Sequence, residues 1–598
     1  MLGKVVHPRS SDAKIERVQA HLPHREPLFL ESRRKLNASV AGIFLLALSI
    51  IPGGCFTGQR YEPYYGRVVV PHSQSFRWID GTLPQTFDPA FAAAPPDTDL
   101  VRAIFEGLTD YDPKTLKPVP AVATRWESTN EGRTWTFYLR DDARWSNGDA
   151  VVAKDFVDSW RRTMKIGELA PHTDLLSNIV GSAAVSVTAV PSRNGNGKAS
   201  RANQESAADR AARRFGAEAI DARVLRVQLQ TPDMNFPALV AHPVFRPVKI
   251  AEIDSLKRMG ATGLVSNGAF LLARQDDVSV LLERAQNYWG RNEITLDQVE
   301  FVGATNAEAA LAAYRAGEVD AVTNSAFEPL ALKLLEPYKD FRQQTYGALA
   351  YYRFNISHAP FDDVRVREAL AIAIDRERLS QDEMGGATEP ARKFLPEVEA
   401  NSAKAVVDQR EFLEQDAARA RQLLAEAGYP DGRGFPSIRL LINRNEQQRV
   451  IAEAIASMWR GILNIETEII IKGWDEYEQA IRAGEYDLVR RGVVMQTTDE
   501  LTNIRTIFQL DNQPPELPAS KQAPATNSNE KTPVAQKPTP RIIESEIEAL
   551  KELRAIPIYF ASSHALVKPY VRGFDTNLLD LPSLKHVRID TGWKMENR

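Results

Sequence analysis

The thirty residues from Arg133 to Arg162, RTWTFYLRDDARWSNGDAVVAKDFVDSWRR, constrain the fold more than any other stretch. Trp135, Phe137 and Leu139 alternate with Thr136 and Tyr138, the period-2 pattern of a strand with one face on a core. Asp141 and Asp142 end that strand. Asn147-Gly148 supplies a second turn, because both residues adopt positive φ at little cost. Phe156, Val157 and Trp160 then recur at helical spacing, so an amphipathic helix is expected, closing on Arg161-Arg162 where cations suit a helix C-terminus. By physics alone this is a well-built strand, turn and helix.

Other segments follow the same logic. Ile438–Ile442, Val450–Trp459 and Ile465–Ile471 read as strand, helix and strand, the βαβ order of an α/β lobe. Val366, Leu370, Ala373 and Ile374 line one face of a helix that follows a turn at Pro360. Ala417–Gly428 reads as another helix, stopped by Gly428 and Pro430. Near the start, Phe76–Asp80 is a strand, and Val101, Ile104 and Phe105 form a helical face with Asp97, Thr98 or Asp99 as caps. Val224–Leu229 alternates as a strand. Val190–Ala211 and Leu510–Arg541 are poor in aromatics and rich in small and polar residues, so both read as flexible inserts. Gly195-Asn196-Gly197-Lys198 lacks the loop length and strand context of a phosphate loop.

At 598 residues the chain is long enough for several domain-sized cores. A net charge of −4 argues against a general nucleic-acid binder. One cysteine excludes an intrachain disulfide and a Cys-based zinc site. The nine histidines are scattered, and no G-x-S-x-G, H-E-x-x-H or Cys–His pairing is present. The sequence therefore implies no enzyme, no cofactor and no metal.

The N-terminus adds an address. Residues 1–35 are polar and basic, and the run VAGIFLLALSII follows, then Pro52-Gly53-Gly54-Cys55. A basic region, an apolar run of about 12 to 15 residues and small residues before a cut site describe an export signal too short to span a membrane comfortably. Gly53-Gly54-Cys55 resembles a lipoprotein cleavage site, at which the cysteine is acylated. Pro52 stands where an aliphatic residue is usual, so a signal cut elsewhere and an uncleaved anchor stay open beside lipid attachment at Cys55. Residues 56–75 read as a tether.

The order of residues in LRDDARWSNGDAVVAKDFVDSWRR closely resembles the signature of the family 5 extracytoplasmic solute-binding proteins, the oligopeptide- and dipeptide-binding components of ABC importers. Further blocks resemble that family in the same order: Phe87-Asp88-Pro89, Phe105-Glu106-Gly107-Leu108, Pro118–Trp126, Gly263–Phe270, Leu281–Gly290, Tyr314–Thr323, Tyr351–Leu379 and Val567–Gly573. The resemblance runs through residues 76–590 apart from the two inserts and is closest to the oligopeptide binders. It implies an α/β, periplasmic-binding-protein-like type II fold, with two ligand lobes, a hinge and an extra small inserted lobe. The implied division is 1–55 export signal, 56–75 tether, 76–105 with 243–352 and 556–598 as discontinuous lobe I, 106–242 as inserted lobe II, and 353–555 as lobe III. Of the helix pair the family carries around the second insert, only Ile542–Leu553 is expected here.

The resemblance also places a ligand site. The family's tryptophan after the last β-run of the second ligand lobe corresponds to Trp474, and its arginine before the glycine of the binding strand to Arg490, with Gly492 as that glycine. A peptide carboxylate paired with Arg490 fits. The aromatic after the glycine is Val493 here. The aspartate that meets a peptide α-ammonium is Gln496, which lacks the charge that would offset desolvating an ammonium. Asp499 lies three residues further on. On the first lobe the edge presented to peptide is Ala92-Ala93-Ala94-Pro95, where Pro95 removes a backbone donor beside Ala93. His172 stands where close relatives have a ligand-facing tyrosine, although a lone histidine is more often a surface residue.

The implied function is an extracytoplasmic binding protein, in the periplasm or at the cell surface. It would deliver peptides or peptide-like solutes to ABC permease and ATPase subunits, as a monomer held to the membrane by a lipid or signal anchor. The departures at Gln496 and Pro95 leave an alternative, a membrane-tethered sensor or scaffold that keeps the fold without import-grade peptide binding.

Overall fold

Two strands far apart in sequence, Phe341–Phe354 and Ala555–Val567, pair antiparallel and hold the architecture together. The computed structural model describes residues 63–182, 215–250, 264–397, 413–508 and 542–595. The expected signal with Cys55, the first part of the tether, and the inserts at 190–211 and 510–541 lie outside the described residues.

Among the described residues, eleven strands form one mixed sheet. From one edge the order is Thr467–Lys472, Ile438–Asn443, Leu488–Val494, Phe341–Phe354, Ala555–Val567, Ala321–Thr323, Ser75–Asp80, Gln298–Val302, Ser279–Arg284 and Phe270–Gln275, with Thr388–Pro390 attached to Ala555–Val567. The first three strands run parallel to one another, and so do Ala321–Thr323, Ser75–Asp80 and Gln298–Val302 on the far side of the long pair.

The long strands link two separate cores. At one end Leu566 packs with Ile79, Tyr314, Val322 and Leu335, and Phe341 lies against that group. At the other end Tyr352, Phe354 and Ile556 pack with Leu440, Ile442 and Trp459. Between these ends the pairing slips, from Thr345 opposite Ser562 to Leu349 opposite Phe560. At the slip Gly347 turns its backbone outward. Its N–H donates to the Leu578 carbonyl at 2.8 Å, and its carbonyl accepts from the Met495 N–H at 2.7 Å. Unpaired ladder positions between two packed cores are where a strand pair bends at least cost.

The stretch that opened the sequence reading builds a smaller four-stranded sheet. Thr134–Leu139 sits between Ala123–Thr129 and Val224–Gln228, with Ala217–Ala219 on the outside. Trp135, Phe137 and Leu139 are buried and their neighbours half-exposed, as the alternation predicts. The helix is Ala153–Ile166, four residues longer than the arginine pair suggested. Thr163 and Met164 continue its buried face, and it stops at Gly167 with φ +65°. Trp160 is fully buried, donates its indole N–H to the Phe245 carbonyl at 2.8 Å and meets the Phe245 ring edge-on at 5.4 Å. Burying each such ring contributes on the order of 1.5–3 kcal/mol.

Two other expectations change. The helix Asp97–Ile104 begins after Pro96 with no side-chain cap. Asp97 instead accepts from the Gln85 N–H at 2.6 Å, and Asp99 is buried. Flanking the second insert are two helices rather than one, Glu500–Phe508 and Glu546–Glu552. The βαβ reading holds, with a longer helix, Glu446–Leu463, whose N-cap Asn445 accepts from the Gln448 N–H. No helix among the described residues is long and apolar enough to cross a membrane.

Candidate functional site

Both sets of parallel strands end at the slip in the long pair. Val494, the last residue of its strand, lies opposite Ala348. From the other side Val322 lies opposite Leu566, which in turn pairs with Phe341, so Thr323 also points toward the slip. The carboxyl ends of Ile438–Asn443, Thr467–Lys472 and Leu488–Val494 are followed by helices starting at Glu446, Trp474 and Glu500. Those of Ser75–Asp80 and Gln298–Val302 lead to helices starting at Asp97 and Ala307. A crevice outside strand carboxyl ends, ringed by helix N-termini, is where open α/β sheets take ligands.

On the Leu488–Val494 strand, Arg490 and Gly492 form one unit. The Arg490 Nε–H donates to Gln448 Oε1 at 3.1 Å, and Gln448 Nε2 donates to the Tyr559 hydroxyl at 2.9 Å. A Cβ on residue 492 would lie 3.2 Å from Arg490 Nη2, so the glycine leaves room for the guanidinium to fold over the strand. Among the described residues no carboxylate stands within ion-pair distance of Arg490, whereas the adjacent Arg491 pairs with Glu478 at 3.0 Å. Val493 turns to the other face, half-buried against the cluster of Leu349, Tyr351 and Phe560. Trp474 is the first residue of its helix, 62% exposed and stacked on Tyr477 at 5.7 Å.

Past Val494 the chain meets a part of the molecule that sequence reasoning did not connect to it. Gln496 Oε1 lies 3.0 Å from His242 Nε2, and Gln496 Nε2 donates to the Val494 carbonyl at 3.1 Å. His242 is buried between Ala241 and Pro243, and its Nδ1 accepts from the Val244 N–H at 3.2 Å. An acceptor Nδ1 fixes the tautomer, so the proton is on Nε2 and is given to Gln496. Burial, helped by the charges of His172, Arg246 and Arg102, pushes the imidazole down to about 3, and it stays neutral. His172 meets the His242 ring edge-on at 4.8 Å, and its Nε2–H donates to the Ala93 carbonyl at 2.8 Å. His172 is thus a built-in contact rather than a free surface histidine. Ala93 and Pro95 lie in the loop before the helix Asp97–Ile104, not on a strand.

Asp499 is engaged as well. Its carboxylate accepts from the Thr502 N–H at 2.8 Å and the Thr502 hydroxyl at 2.6 Å, capping the helix Glu500–Phe508, and from Asn235 Nδ2. Beside it a cavity of about 470 Å³ is lined by Asp174, Asn178, Asp233, Asp499, Thr502 and Arg505, among others. Burial lifts the Asp233 carboxyl to about 6, with Asp499 adding to the shift.

A second polar group lies under the opposite strand ends. Asp80, Asp99 and Asp580 are 1%, 2% and 5% exposed. Asp80 Oδ1 accepts from the Thr323 hydroxyl at 2.8 Å and from Asn324 Nδ2 at 2.6 Å, and Asp580 accepts from the Ser563 hydroxyl at 2.7 Å. Burial raises all three carboxyls, Asp580 to about 6.

The structure therefore brings Ala93, His172 and Gln496 together through His242, and sets Arg490 with Gly492 on the neighbouring strand. Trp474 begins one flanking helix, Asp499 caps another, and Val493 faces a core. His242, Asn235 and Gln448 were missed. A single histidine before a proline carries no periodic or spacing signal, and only the fold shows its partner.

Known proteins give the arrangement its context. The family model for bacterial extracellular solute-binding proteins, family 5 Middle, matches residues 117–514. The periplasmic murein peptide-binding protein MppA of Escherichia coli K12 is 30% identical over 511 residues, 83% of this chain and 89% of that protein. The periplasmic oligopeptide-binding protein OppA of the same organism is 28% identical over 526 residues, 85% of this chain and 91% of that protein. Among solved structures, the unliganded open form of MppA superposes with a TM-score of 0.68 at 27% identity, over 87% of this chain and 98% of that one.

Proposed function

The chain belongs to the bacterial extracellular solute-binding proteins of family 5, and from that premise we propose how it takes its ligand. It is the extracytoplasmic solute-binding component of an ABC importer, taking peptides or peptide-like solutes between two lobes and passing them to a membrane permease. It binds and does not catalyse. In the finer reading, the peptide lies extended along Leu488–Val494, held by main-chain hydrogen bonds in a roomy, wet cleft. Arg490 pairs with a ligand carboxylate, Trp474 supplies an apolar wall, and Ala93 with Pro95 borders the opposite side. Residues 76–105, 243–352 and 556–598 form one ligand lobe, 106–242 the inserted lobe and 353–555 the other ligand lobe, closing by a bend at Thr345–Leu349. Cys55 carries the lipid that tethers a monomer to the membrane.

The observation that carries this reading is the guanidinium of Arg490. It lies over Gly492 beside the carboxyl ends of the parallel strands, with no carboxylate partner among the described residues. An unpaired, oriented guanidinium is a site for a ligand carboxylate. The test is thermal unfolding of the full-length protein with mixed di- to pentapeptides, since a ligand that binds only the native state raises the midpoint by mass action. A shift that Arg490→Gln weakens roughly ten- to hundredfold in apparent affinity supports the assignment. No shift with any peptide, free or blocked, returns the sensor or scaffold reading. Incorporation of labelled palmitate that Cys55→Ser abolishes would support the lipid anchor.

A further inference from the structure

Every hydrogen bond along the strip from Ala93 to Gln496 has a defined direction. The Ala93 carbonyl can only accept, so His172 donates through Nε2. His242 accepts the Val244 N–H on Nδ1, so it too donates through Nε2, to Gln496. Gln496 in turn donates through its amide to Val494. The strip therefore presents two imidazole N–H groups and one amide as donors, and each of its acceptors already receives a hydrogen bond. Arg246 and Arg102 add positive potential at His242. Asp499, the carboxylate nearest to Gln496 in sequence, accepts from Thr502 and Asn235, and Asp174, two residues beyond His172, interacts with that imidazole. The carboxylates at the opposite strand ends, Asp80, Asp99 and Asp580, are buried, Asp80 beneath Thr323 and Asn324 and Asp580 against Ser563.

A ligand ammonium brought to this strip finds the side-chain acceptor Gln496 Oε1, which already accepts from His242 and is neutral, so it lacks the charge that would offset desolvating the ammonium. A carbonyl or carboxylate finds donors ready. Displacing the internal contacts then gives each imidazole N–H a ligand acceptor in place of its own, and the acceptors set free, the Ala93 carbonyl and Gln496 Oε1, lie on exposed and half-exposed residues.

We propose that His242 and Gln496 act together as a specificity pair that admits a hydrogen-bond acceptor and rejects an ammonium, so that the preferred ligands are peptides whose N-terminus is amide-capped rather than free. The proposal rests on the peptide-binding reading above and narrows its ligand class. His242 is the specificity-determining residue that the sequence did not point to. Gln496 is its neutral partner, matched to an imidazole that stays uncharged.

The test uses the full-length protein and two pools of di- to pentapeptides of the same sequences, one free and one N-acetylated, compared by the midpoint of thermal unfolding across a concentration series. The acetylated pool is expected to bind at least about tenfold more tightly. Gln496→Asp should reverse the order, because a carboxylate accepts from His242 and pairs with an ammonium at once. His242→Asn keeps an acceptor for the Val244 N–H but loses the Nε2 donor, and should bring the two pools to within about threefold. Equal or tighter binding of the free pool by the unaltered protein overturns the proposal while leaving peptide binding intact. No response to either pool, by the unaltered protein and both variants, overturns the peptide reading and this proposal with it.

Discussion

Gly492 and Arg490 share one volume on the Leu488–Val494 strand: a methyl group on residue 492 would stand 3.2 Å from the Arg490 guanidinium. Gly492→Ala should therefore push the guanidinium off the strand without unfolding anything. The neighbour that must move is the far end of a flexible side chain, and residue 492 is exposed. Stability should stay within about 0.5 kcal/mol, while affinity for peptides with a free C-terminus falls roughly tenfold. Calorimetric titration with free and C-amidated peptides checks it. An equal loss for both would remove Arg490 from carboxylate recognition.

Asp580 makes stability pH-dependent. Its carboxyl is held at about 6 against 3.8 for an exposed one, with burial the main cause and Asp80 adding to it. The native state keeps the proton that the unfolded chain releases, so stability falls as pH rises from about 4 to about 6 and stays lowered above that. Asp580→Asn keeps an acceptor for Ser563 and removes the titration. It should equal the unaltered protein near pH 3.5 and exceed it by roughly 2–3 kcal/mol at pH 8. Urea unfolding at the two pH values decides the matter, and an unchanged difference between them would mean that Asp580 is already ionised when folded.

Asp499 is a helix cap before it is anything else. Asp499→Asn keeps the acceptor for Thr502 and should leave stability nearly unchanged, whereas Asp499→Ala should cost about 0.5–2 kcal/mol. Neither should alter the ratio of free to N-acetylated peptide affinity, because both carboxylate oxygens already accept hydrogen bonds within the protein. A selective loss of free-amine binding in Asp499→Asn would make this residue the ammonium partner.

The sequence carried the architecture because the signature blocks are structural. Phe105-Glu106-Gly107-Leu108 and Asn287-Tyr288-Trp289-Gly290 meet at Glu106, which is 1% exposed, accepts from the Tyr288 hydroxyl at 2.5 Å and pairs with Lys585 at 2.8 Å. Those residues hold a core junction together, and their spacing could be read without coordinates. Alternation and helical periodicity likewise placed Thr134–Leu139 and Ala153–Ile166, since burial on one face is a local pattern. The site was only half legible. Arg490 and Gly492 lie two apart on one strand, and the family resemblance placed them together. The distant partners of Gln496 and Asp499 are His242 and Asn235, 254 and 264 residues away, and no local pattern encodes a contact that the fold alone creates.

Gly347 offers a direct handle on the bend. It sits in the slip between Thr345 and Leu349, where a Cβ would meet the Leu578 carbonyl at 3.2 Å and the Met495 Cβ at 3.4 Å. Leu578 and Met495 approach the slip from opposite sides in sequence, one after the second long strand and the other just past Val494. A branched side chain there cannot be taken up by a rotamer change, because the crowding atoms are a backbone carbonyl and a Cβ. Gly347→Val should wedge these segments apart and shift the population toward an open arrangement of the two cores. Closure would then draw on ligand binding energy, and a penalty of about 1–3 kcal/mol corresponds to roughly five- to hundredfold weaker binding, with the unfolding midpoint of the ligand-free protein much less affected. Small-angle scattering with and without peptide separates the cases. If the variant compacts on peptide addition as fully and at the same concentration as the unaltered protein, the bend does not pass through Gly347.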